Sequence, residues 1–489
     1  MEINLEQYKD KNIHVVGIAG AEGSAIADFL VAKGMKNVTG HDFSADAMEF
    51  EKHFNDTHLS LKGEGRAQAL EHLRSLPIKI NLQPEYLQGV EEADVVFVSQ
   101  VWFKYPSNAP LKSLYEHGVE FKTITNLYFE FAPCPIISVT GTNGKTTTSN
   151  LLKSIFELWE KEDAPGHFYF AGNDRQNVQV LDKLEEMTDR DIFLLETSST
   201  QLVLNSRISP YIGIITNITP NHIDDHGSFE NYIKAKESLI MYQGEKDYAV
   251  LNFDDVVTAE IAQRHMQNAF LFSSQKELEN GCFMKGENAI VRVGDREDIV
   301  FQKQDIKIVG EHNLQNALAA AAAAYLFGVK AETIKAGVSA YSGIKHRLRL
   351  VYMIDNISYF DDTQSTTPES TIAGINAFSE SPVLLVGGDD KGVDYKKLGE
   401  VINEKVKAVI IFPGTASALI EKEIDRERVV LDKADNMHSA IAILEKYIAG
   451  EVLRSGSFVL ISPAASHFYS KFIESSGKNL KEWIREIKI

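Results

Sequence analysis

The stretch that decides the fold is IISVTGTNGKTT, residues 136–147. It begins with Ile136–Val139, an apolar and β-branched run that is typical of a buried strand. The apolar-periodic stretch Leu151–Trp159 follows the loop and is typical of a helix. A strand, a glycine-rich turn and a helix in this order predict a phosphate-binding loop. The alternative is an incidental glycine turn that contains a lysine, since the spacing is shorter than in the general Walker A form.

The residues of this loop have the chemistry that phosphate binding needs. Gly141 and Gly144 let the backbone curl so that its N–H groups point to one place. The N-terminus of the following helix adds a partial positive charge, and Lys145 can reach the outer phosphates of a nucleotide. A hydroxyl group of Thr146 or Thr147 can bind Mg²⁺. The loop therefore predicts a site for a nucleotide and a divalent cation.

The same arrangement occurs at two other places in the chain. In each, a short apolar strand precedes a glycine-rich turn: Ile13–Val16 before Gly17, Gly20 and Gly23, and Val383–Val386 before Gly387 and Gly388. Strands that alternate with helices indicate parallel sheets wrapped by helices. We therefore predict an α/β fold of three consecutive parallel-sheet domains. They are a Rossmann-like domain at residues 1–132, a central P-loop domain at residues 133–344 and a Rossmann-like C-terminal domain at residues 345–489.

Composition narrows the class of protein further. The 489 residues are 44% hydrophobic and 24% charged, and 50 Lys and Arg against 69 Asp and Glu give a net charge of −19. A chain this acidic is a poor binder of nucleic acid. No apolar run is long enough for a membrane span, and residues 1–11 lack the apolar segment of a secretion signal. The two cysteines, Cys134 and Cys282, fit a reducing compartment. We expect a cytoplasmic enzyme.

Four more segments can be set beside the phosphate loop. They are ETSSTQL at residues 196–202, NITPNHID at 217–224, YIKAK at 232–236 and GEHNLQN at 310–316. With TGTNGKTT, and with His346-Arg347 further on, these segments resemble the Mur ligase family, which also includes the folylpolyglutamate synthases. The resemblance covers about residues 12–485. A whole domain precedes the phosphate loop, which disfavours the folylpolyglutamate synthases.

The resemblance implies roles for individual residues. It implies an ATP site made by Gly141, Thr142, Asn143, Gly144, Lys145, Thr146, Thr147, Asn316, Arg347 and Asp362. It implies two Mg²⁺ ions held by Thr146, Glu196, His222 and Lys236, the last at the position where the family carries a carbamylated lysine. The implied catalytic residues are Lys145, Glu196, His222, Lys236 and Arg347.

Each of these residues also has a plainer interpretation. The alternative for Glu196 is a surface glutamate near a loop, and that for His222 is a residue that caps a turn. The alternative for Lys236 is a solvated helix lysine that pairs with Glu230 or Glu237. The alternative for Asn316 is a helix cap, and that for Arg347 is a surface salt bridge. Without the phosphate loop, the plainer interpretation would be preferred for most of these positions.

The predicted substrate-binding residues lie mainly in the first and third domains. The resemblance implies that the first domain binds a UDP-sugar, with contacts from Gly17, Gly20, Gly23 and Asp42, and with Asn173 as a further substrate contact. In the third domain, GGDDK at residues 387–391 and SPAAS at 462–466 resemble the amino-acid site of the D-glutamate-adding members. The implied contacts are Thr366, Lys391, Ser466 and Phe472. The substrates would be UDP-N-acetylmuramoyl-L-alanine and glutamate.

Some positions depart from the pattern of the D-glutamate-adding members. Gln364 stands where they usually have a lysine, Asn221 where they have an aspartate, and Ser99-Gln100-Val101 differs from their S-P-G. The first domain also looks like that of the L-alanine-adding member. The implied reaction is ATP-dependent amide bond formation through an acyl phosphate, in peptidoglycan precursor synthesis, by a monomer.

Other functions stay open at this point. One is a Mur ligase with another acceptor, such as L-glutamate, L-alanine or a recycled peptide. A second is a non-catalytic nucleotide-binding subunit. A third is an NAD-dependent oxidoreductase built on the first domain, which would leave the phosphate loop unexplained.

Overall fold

The computed structural model describes residues 5–100, 102–162, 164–172, 179–308, 310–378 and 380–488. The chain divides into two compact units. The first comprises Met1–Lys303 with Gln315–Val338, and the second comprises Gln304–Leu314 with Ser339–Ile489. Helices cover sheets whose strands are mostly parallel, so the predicted α/β class is confirmed.

The first sheet belongs to the first unit and has five parallel strands in the order β3-β2-β1-β4-β5. The strands are β1 (Ile13–Val16), β2 (Val38–His41), β3 (Lys79–Asn81), β4 (Val95–Val98) and β5 (Glu120–Lys122). The helices of this part are α1 (Ala21–Ala32), α2 (Ala47–Thr57), α3 (Glu64–Ser75), α4 (Ala109–Glu116) and α5 (Ile124–Phe131). This strand order is that of a Rossmann-like sheet, as predicted.

The second sheet has nine strands in the order β14-β13-β12-β11-β10-β9-β6-β8-β7. The strands are β6 (Ile136–Thr140), β7 (Phe168–Ala171), β8 (Ile192–Glu196), β9 (Ile212–Ile215), β10 (Tyr248–Asn252), β11 (Ala269–Ser273), β12 (Gly281–Lys285), β13 (Asn288–Val293) and β14 (Arg296–Gln302). The helices are α6 (Lys145–Lys161), α7 (Ser199–Leu202), α8 (Ile223–His226), α9 (Phe229–Glu237), α10 (Val256–Arg264), α11 (Glu311–Phe327) and α12 (Ala331–Ala340). The antiparallel strands β12–β14 at one edge were not predicted.

The third sheet belongs to the second unit and has the order β15-β16-β20-β17-β18-β19. The strands are β15 (Arg349–Ile354), β16 (Ile357–Asp361), β17 (Val383–Gly387), β18 (Ala408–Phe412), β19 (Val430–Lys433) and β20 (Phe458–Ile461). The helices are α13 (Pro368–Asn376), α14 (Lys396–Lys405), α15 (Ser417–Lys422), α16 (Met437–Ala449) and α17 (Leu480–Ile484). Only the β15–β16 pair is antiparallel among the described strands of this sheet.

The central strands are buried throughout and mostly apolar because helices cover both faces of each sheet. All residues of β6, β8 and β9 are buried, as are those of β17, β18 and β20. Each sheet lies within one predicted domain, although the domain boundaries themselves stay a prediction. Within the described part of the chain, no helix combines the length and the apolar character that crossing a membrane requires.

The strand orders also determine where ligands can bind. In parallel sheets, ligands bind beyond the carboxyl ends of the strands, at the point where the strand order reverses. This point lies beside β1 and β4 in the first sheet, beside β6 and its neighbours β8 and β9 in the second, and beside β20 and its neighbours in the third. The predicted site residues follow these strands.

Candidate active site

The phosphate loop leaves β6 and leads into α6, as predicted. Gly144 is the N-cap of α6 and has a φ of +85°, which favours glycine. A Cβ atom there would lie 2.3 Å from Oδ1 of Asn316. The loop therefore requires glycine at this position both for its conformation and for the close approach of α11. The free N–H groups at the start of α6 face the loop and can bind phosphate oxygens.

Lys145 lies over the loop rather than in solvent. Its Nζ atom donates hydrogen bonds to the carbonyl oxygens of Gly141 and Thr142, at 2.8 and 3.1 Å. Burial lowers the pKa of Lys145, while the nearby Glu196 carboxylate favours the charged form. An ammonium group held at the mouth of the loop is placed to meet the charge of a triphosphate.

Glu196 ends the neighbouring strand β8 and is 4% exposed. Its Oε1 atom accepts a hydrogen bond of 3.0 Å from the hydroxyl group of Thr146. A hydroxyl and a carboxylate are thus adjacent beside the first turn of α6. These are the oxygen ligands that Mg²⁺ prefers when it also binds phosphates.

Lys236 is the most deeply buried charged residue near the loop, at 1% exposed. Its Nζ atom donates to the carbonyl oxygen of Gly141 at 2.9 Å and lies 4.7 Å from the centre of the Tyr232 ring. Burial, reinforced by the positive charge of Lys145, lowers the pKa of Lys236 to about 6. The interpretation of Lys236 as a solvated helix lysine is therefore wrong. Glu230 pairs with Lys234 instead, and Glu237 with Arg264 and His265.

The segment after β9 holds the loop from the other side. The side chain of Asn217 accepts from the backbone N–H of Asn143 at 2.9 Å, and the Thr216 hydroxyl donates to the Asn143 carbonyl at 2.5 Å. The hydroxyl groups of Thr142 and Tyr232 are 3.1 Å apart. The sequence motif contained Asn217 and Tyr232, but their support of the loop was not predicted. Such support depends on which strands are neighbours, and only the fold shows that.

His222 begins the short helix α8 with a left-handed backbone, at a φ of +53°. Its side chain is 50% exposed, and its Nδ1 atom lies 3.1 Å from a carboxylate oxygen of Asp225. The ring centre lies 6.2 Å from that of Tyr232, whose ring also contacts Lys236. The structure therefore brings His222 to the region of Lys236 and the loop.

Asn316 lies on α11 and is buried against the loop. Its Oδ1 atom accepts a 3.3 Å hydrogen bond from the Thr148 hydroxyl. This contact gives Asn316 a part in holding the loop to α11. Its predicted contact with adenosine stays a prediction.

A cleft opens at the reversal point of the first sheet. It is lined by the predicted residues Gly17, Gly20 and Gly23 and also by Glu22, Phe43, His53, Tyr86, Ser99, Gln100, Tyr105 and Asn108. Gly23 packs so closely that a Cβ atom would lie 2.3 Å from the carbonyl oxygen of Gly17. The cleft has the position that the predicted nucleotide-sugar site requires.

Asp42 is not part of the wall of this cleft. It is 0% exposed, and its carboxylate accepts hydrogen bonds from the Ser44 hydroxyl at 2.6 Å and the Ala19 N–H at 3.3 Å. It also pairs with His53 at 3.0 Å. Its predicted contact with the UDP-sugar stays a prediction. Asp42 holds His53, which does line the cleft.

Glu22 lies between Gly20 and Gly23, and the sequence did not predict it as a site residue. It lies in the first turn of α1, lines the cleft and accepts a hydrogen bond of 3.2 Å from Gln201 of α7. Burial raises the pKa of Glu22 to about 7, despite opposing hydrogen bonds from Gln100 and Gln201. A carboxyl group with its pKa raised in this way is less ionised near pH 7 than an ordinary glutamate, and it therefore repels a diphosphate less.

In the second unit, the predicted amino-acid contacts lie on loops that follow β16, β17 and β20. The Nζ atom of Lys391 donates to the Thr366 hydroxyl at 2.8 Å. Ser466 pairs with Asp389 through two backbone hydrogen bonds of 2.9 Å. The structure therefore groups Thr366 with Lys391, and Ser466 with the start of the GGDDK loop.

Phe472 is partly buried and packs on other aromatic rings. Its ring centre lies 5.0 Å from Phe412 and 5.3 Å from Phe468. These contacts place it at the edge of the apolar core of the second unit. Its predicted packing against a substrate stays a prediction.

Two further predicted residues of the second unit have partners. The Nε atom of the exposed Arg347 donates to the side chain of Gln364 at 2.9 Å, so the residue that replaces the usual lysine binds the arginine. Asp362 is buried and accepts from the Ser462 hydroxyl at 2.6 Å, and burial raises the pKa of Asp362 to about 6. Asn173 lies outside the described residues.

Comparison with known proteins agrees with this arrangement. Residues 139–324, which contain the phosphate loop, match the family described as Mur ligase middle domain. Over 99% of its length, the chain is 31% identical to the UDP-N-acetylmuramoylalanine–D-glutamate ligase of Acetivibrio thermocellus, covering 98% of that protein. It is 32% identical to the protein of the same name from Caldanaerobacter subterraneus, with 99% of this chain and 100% of that protein covered.

The chain belongs to the Mur ligase family.

Solved structures of Mur ligases have the same fold. UDP-N-acetylmuramate–alanine ligase from Thermotoga maritima superposes with a TM-score of 0.52 at 18% identity, covering 96% of this chain and 99% of that one. MurF from Acinetobacter baumannii gives a TM-score of 0.50 at 21% identity, covering 71% and 78%. The non-ligase alternative of an NAD-dependent oxidoreductase is wrong, because the family and the fold are those of Mur ligases.

The residues that the sequence assigned to Mg²⁺ fit an ion held largely by phosphates. Among the described residues, no group of three or more His, Cys, Asp and Glu side chains converges on one point. Mg²⁺ in nucleotide sites commonly has one or two carboxylate ligands and completes its shell with phosphates and water. Thr146 with Glu196 fits this description. Lys236 fits only after a modification that gives it oxygen atoms.

Proposed function

We propose that this Mur ligase adds D-glutamate to UDP-N-acetylmuramoyl-L-alanine with cleavage of ATP to ADP and phosphate. The observation that carries the proposal is the phosphate loop, flanked by Glu196, the partly buried Lys145 and the buried Lys236, in a chain similar over 99% of its length to proteins of that name. The reaction class follows from the loop, and the acceptor follows from the relatives. We also propose that the enzyme acts in the cytoplasm as a monomer.

The first chemical step joins the carboxylate of the nucleotide-sugar to the γ-phosphoryl group of ATP. A carboxylate oxygen attacks the γ-phosphorus, the bond to the β,γ-bridging oxygen breaks, and ADP leaves. The reaction consumes no proton and yields an acyl phosphate. Lys145 and the N–H groups of α6 bind the phosphates and balance the charge that otherwise repels the attacking carboxylate. Mg²⁺ held by Thr146 and Glu196 would supply further charge neutralisation.

The second step forms the amide bond. The neutral amino group of the amino acid attacks the acyl carbon, and the resulting tetrahedral intermediate expels phosphate and loses a proton. Lys391 and Thr366 share one hydrogen bond and would hold a carboxylate of the amino acid together with Ser466. Arg347 would bind phosphate oxygens. Because the chemistry is inherent in the substrates, most of the rate enhancement comes from positioning and charge.

Lys236 would act after conversion to a carbamate. Its low pKa leaves most of the amine neutral at pH 7, and a neutral amine attacks CO₂ to form an N-carboxylate with release of one proton. The new group carries oxygen atoms and a negative charge beside the carbonyl oxygen of Gly141. It would then serve as a ligand of a second Mg²⁺, as would His222.

One structural observation favours a second acceptor as an alternative. The side chain of Gln364 accepts a hydrogen bond from Arg347. A lysine at that position would repel the arginine, because both side chains are positively charged. The amino-acid site of this chain therefore lacks one positive charge that the D-glutamate-adding members usually have. L-glutamate, L-alanine and a recycled peptide are the acceptors to be compared with D-glutamate.

The acceptor is tested by giving the purified protein ATP, Mg²⁺ and UDP-N-acetylmuramoyl-L-alanine with one acceptor at a time. We expect phosphate release that depends on D-glutamate and a product heavier by one glutamyl residue in mass spectra. Omission of the amino acid controls for simple ATP hydrolysis. Turnover with another acceptor and not with D-glutamate would agree with a ligase activity and would contradict D-glutamate as the acceptor.

A further inference from the structure

Asp225 connects His222 with a lysine from the first part of the chain. The Oδ2 atom of Asp225 lies 3.1 Å from Nδ1 of His222 and 2.8 Å from Nζ of Lys104. The Asp225 side chain is 10% exposed, so these contacts replace most of its contact with solvent. An ionised carboxylate can only accept hydrogen bonds, so His222 donates to Asp225 from Nδ1, and in the neutral imidazole the Nε2 atom is then the acceptor.

The backbone of His222 is in a strained conformation, so its orientation is held at a cost in free energy. A non-glycine residue in the left-handed region, here at a φ of +53° and ψ of 33°, is strained by about 1 kcal/mol or more. The Asn221 side chain accepts from the N–H of His222 at 2.9 Å and holds this conformation from one side. Asp225 holds the imidazole ring from the other. Strain of this kind persists where surrounding contacts determine the conformation.

Lys104 brings this network to the wall of the cleft. It ends the short helix Trp102–Lys104, and the next residue, Tyr105, lines the cleft and stacks on Phe43 with ring centres 5.5 Å apart. One peptide bond therefore separates the residue that contacts Asp225 from a residue that faces the predicted nucleotide-sugar. A ligand that moves Tyr105 is therefore expected to move Lys104 as well.

We propose that Asp225 is a positioning residue that sets the orientation of His222, and that Lys104 couples this orientation to occupancy of the cleft. The inference rests on the proposed ligase function for the use made of His222. It goes beyond that function because it gives Asp225 and Lys104 roles in the reaction and connects two binding sites. Carboxylate partners of this kind commonly fix the ring and the tautomer of a functional histidine.

The role of Asp225 is tested by Asp225→Ala and Asp225→Asn, each alone and in the His222→Ala background. We expect Asp225→Ala to lower kcat about 10-fold to 100-fold, the usual effect of removing such a partner. Asp225→Asn keeps an acceptor for Nδ1 and should retain more activity. In the His222→Ala background Asp225→Ala should have no further effect, since residues that act through one another are not additive. An equal loss in both backgrounds would show a merely structural role and overturn the proposal.

The role of Lys104 is tested by Lys104→Met, with Lys112→Met on the neighbouring helix α4 as the matched control. We expect Lys104→Met to raise the KM for the nucleotide-sugar about twofold to fivefold, the scale of a partly exposed ion pair. This effect should vanish in the Asp225→Asn background, and Lys112→Met should behave as the wild type. A Lys104→Met enzyme with an unchanged KM would overturn the coupling.

A measurement that needs no turnover separates this inference from the proposed function. In protein labelled with ¹⁵N-histidine, the His222 signals are assigned by their loss in His222→Gln. We expect the tautomer protonated at Nδ1 in the wild type and a change in tautomer in Asp225→Ala. The same tautomer in both proteins would overturn the positioning role, whether or not the wild type is an active ligase.

Discussion

Lys145→Ala is expected to lower the rate of ATP-dependent ligation by at least about 100-fold, the scale for loss of one group that stabilises transferring phosphoryl charge. Lys145 is partly buried over the phosphate loop and donates hydrogen bonds to two of its carbonyl oxygens. It is therefore already close to where the phosphates would bind, and little reorganisation is needed when ATP enters. Alanine removes the positive charge without filling its place, so both ATP binding and the first chemical step should suffer.

The measurement for Lys145 is steady-state release of phosphate, with thermal unfolding in parallel to show that the variant folds. Lys161→Ala is the matched control, because Lys161 is an exposed lysine at the end of the same helix α6. We expect wild-type rates from this control. A Lys145→Ala enzyme with nearly the wild-type rate would show that the loop does not bind the transferred phosphate.

Lys236→Ala is expected to lower activity about as strongly as Lys145→Ala. The side chain is buried beside the loop with its amine at the carbonyl oxygen of Gly141. If the carbamate supplies oxygen ligands to a metal ion, the alanine variant loses them and its kcat falls by about 100-fold or more. The small cavity left by the side chain can admit formate or acetate, and these anions should restore part of the activity.

Lys234→Ala is the control for Lys236. Lys234 lies two residues earlier in α9, is exposed, and pairs with Glu230, so its loss should leave the rate unchanged. Methylamine distinguishes the two chemical roles, since it replaces an ammonium group and not a carboxylate. Rescue by methylamine and not by formate would show that Lys236 acts as a cation and that the carbamate is absent.

The sequence allowed the phosphate loop to be predicted because its signal is local. A strand, two glycines, a lysine and a helix follow one another within about twenty residues, and no distant contact is needed to interpret them. The same holds for Glu196, whose strand and motif are contiguous. These predictions depend only on residues that are adjacent in the sequence, and such residues stay close together in the folded chain.

Predictions about burial were less successful, because burial depends on distant parts of the chain. Lys236 is among the most buried residues only because α9 packs its inward face against Gly141, nearly a hundred residues earlier. Asp42 was expected to contact a ligand, yet its carboxylate is buried and bonded to Ser44 and His53. The edge strands β12–β14 were missed, although Gly286 and Gly294 stand at the two hairpin turns between them and are a local sign of antiparallel pairing.

An oxygen-transfer experiment tests the acyl-phosphate mechanism. In this mechanism the carboxylate of the nucleotide-sugar attacks ATP, and phosphate later leaves from the acyl carbon. UDP-N-acetylmuramoyl-L-alanine labelled with ¹⁸O at both oxygens of its terminal carboxylate is incubated with the enzyme, ATP, Mg²⁺ and D-glutamate, and the phosphate released is analysed by mass spectrometry. We predict that each phosphate carries one ¹⁸O atom from the carboxylate. Phosphate without the label, formed at the same rate as the amide product, would contradict an acyl phosphate intermediate.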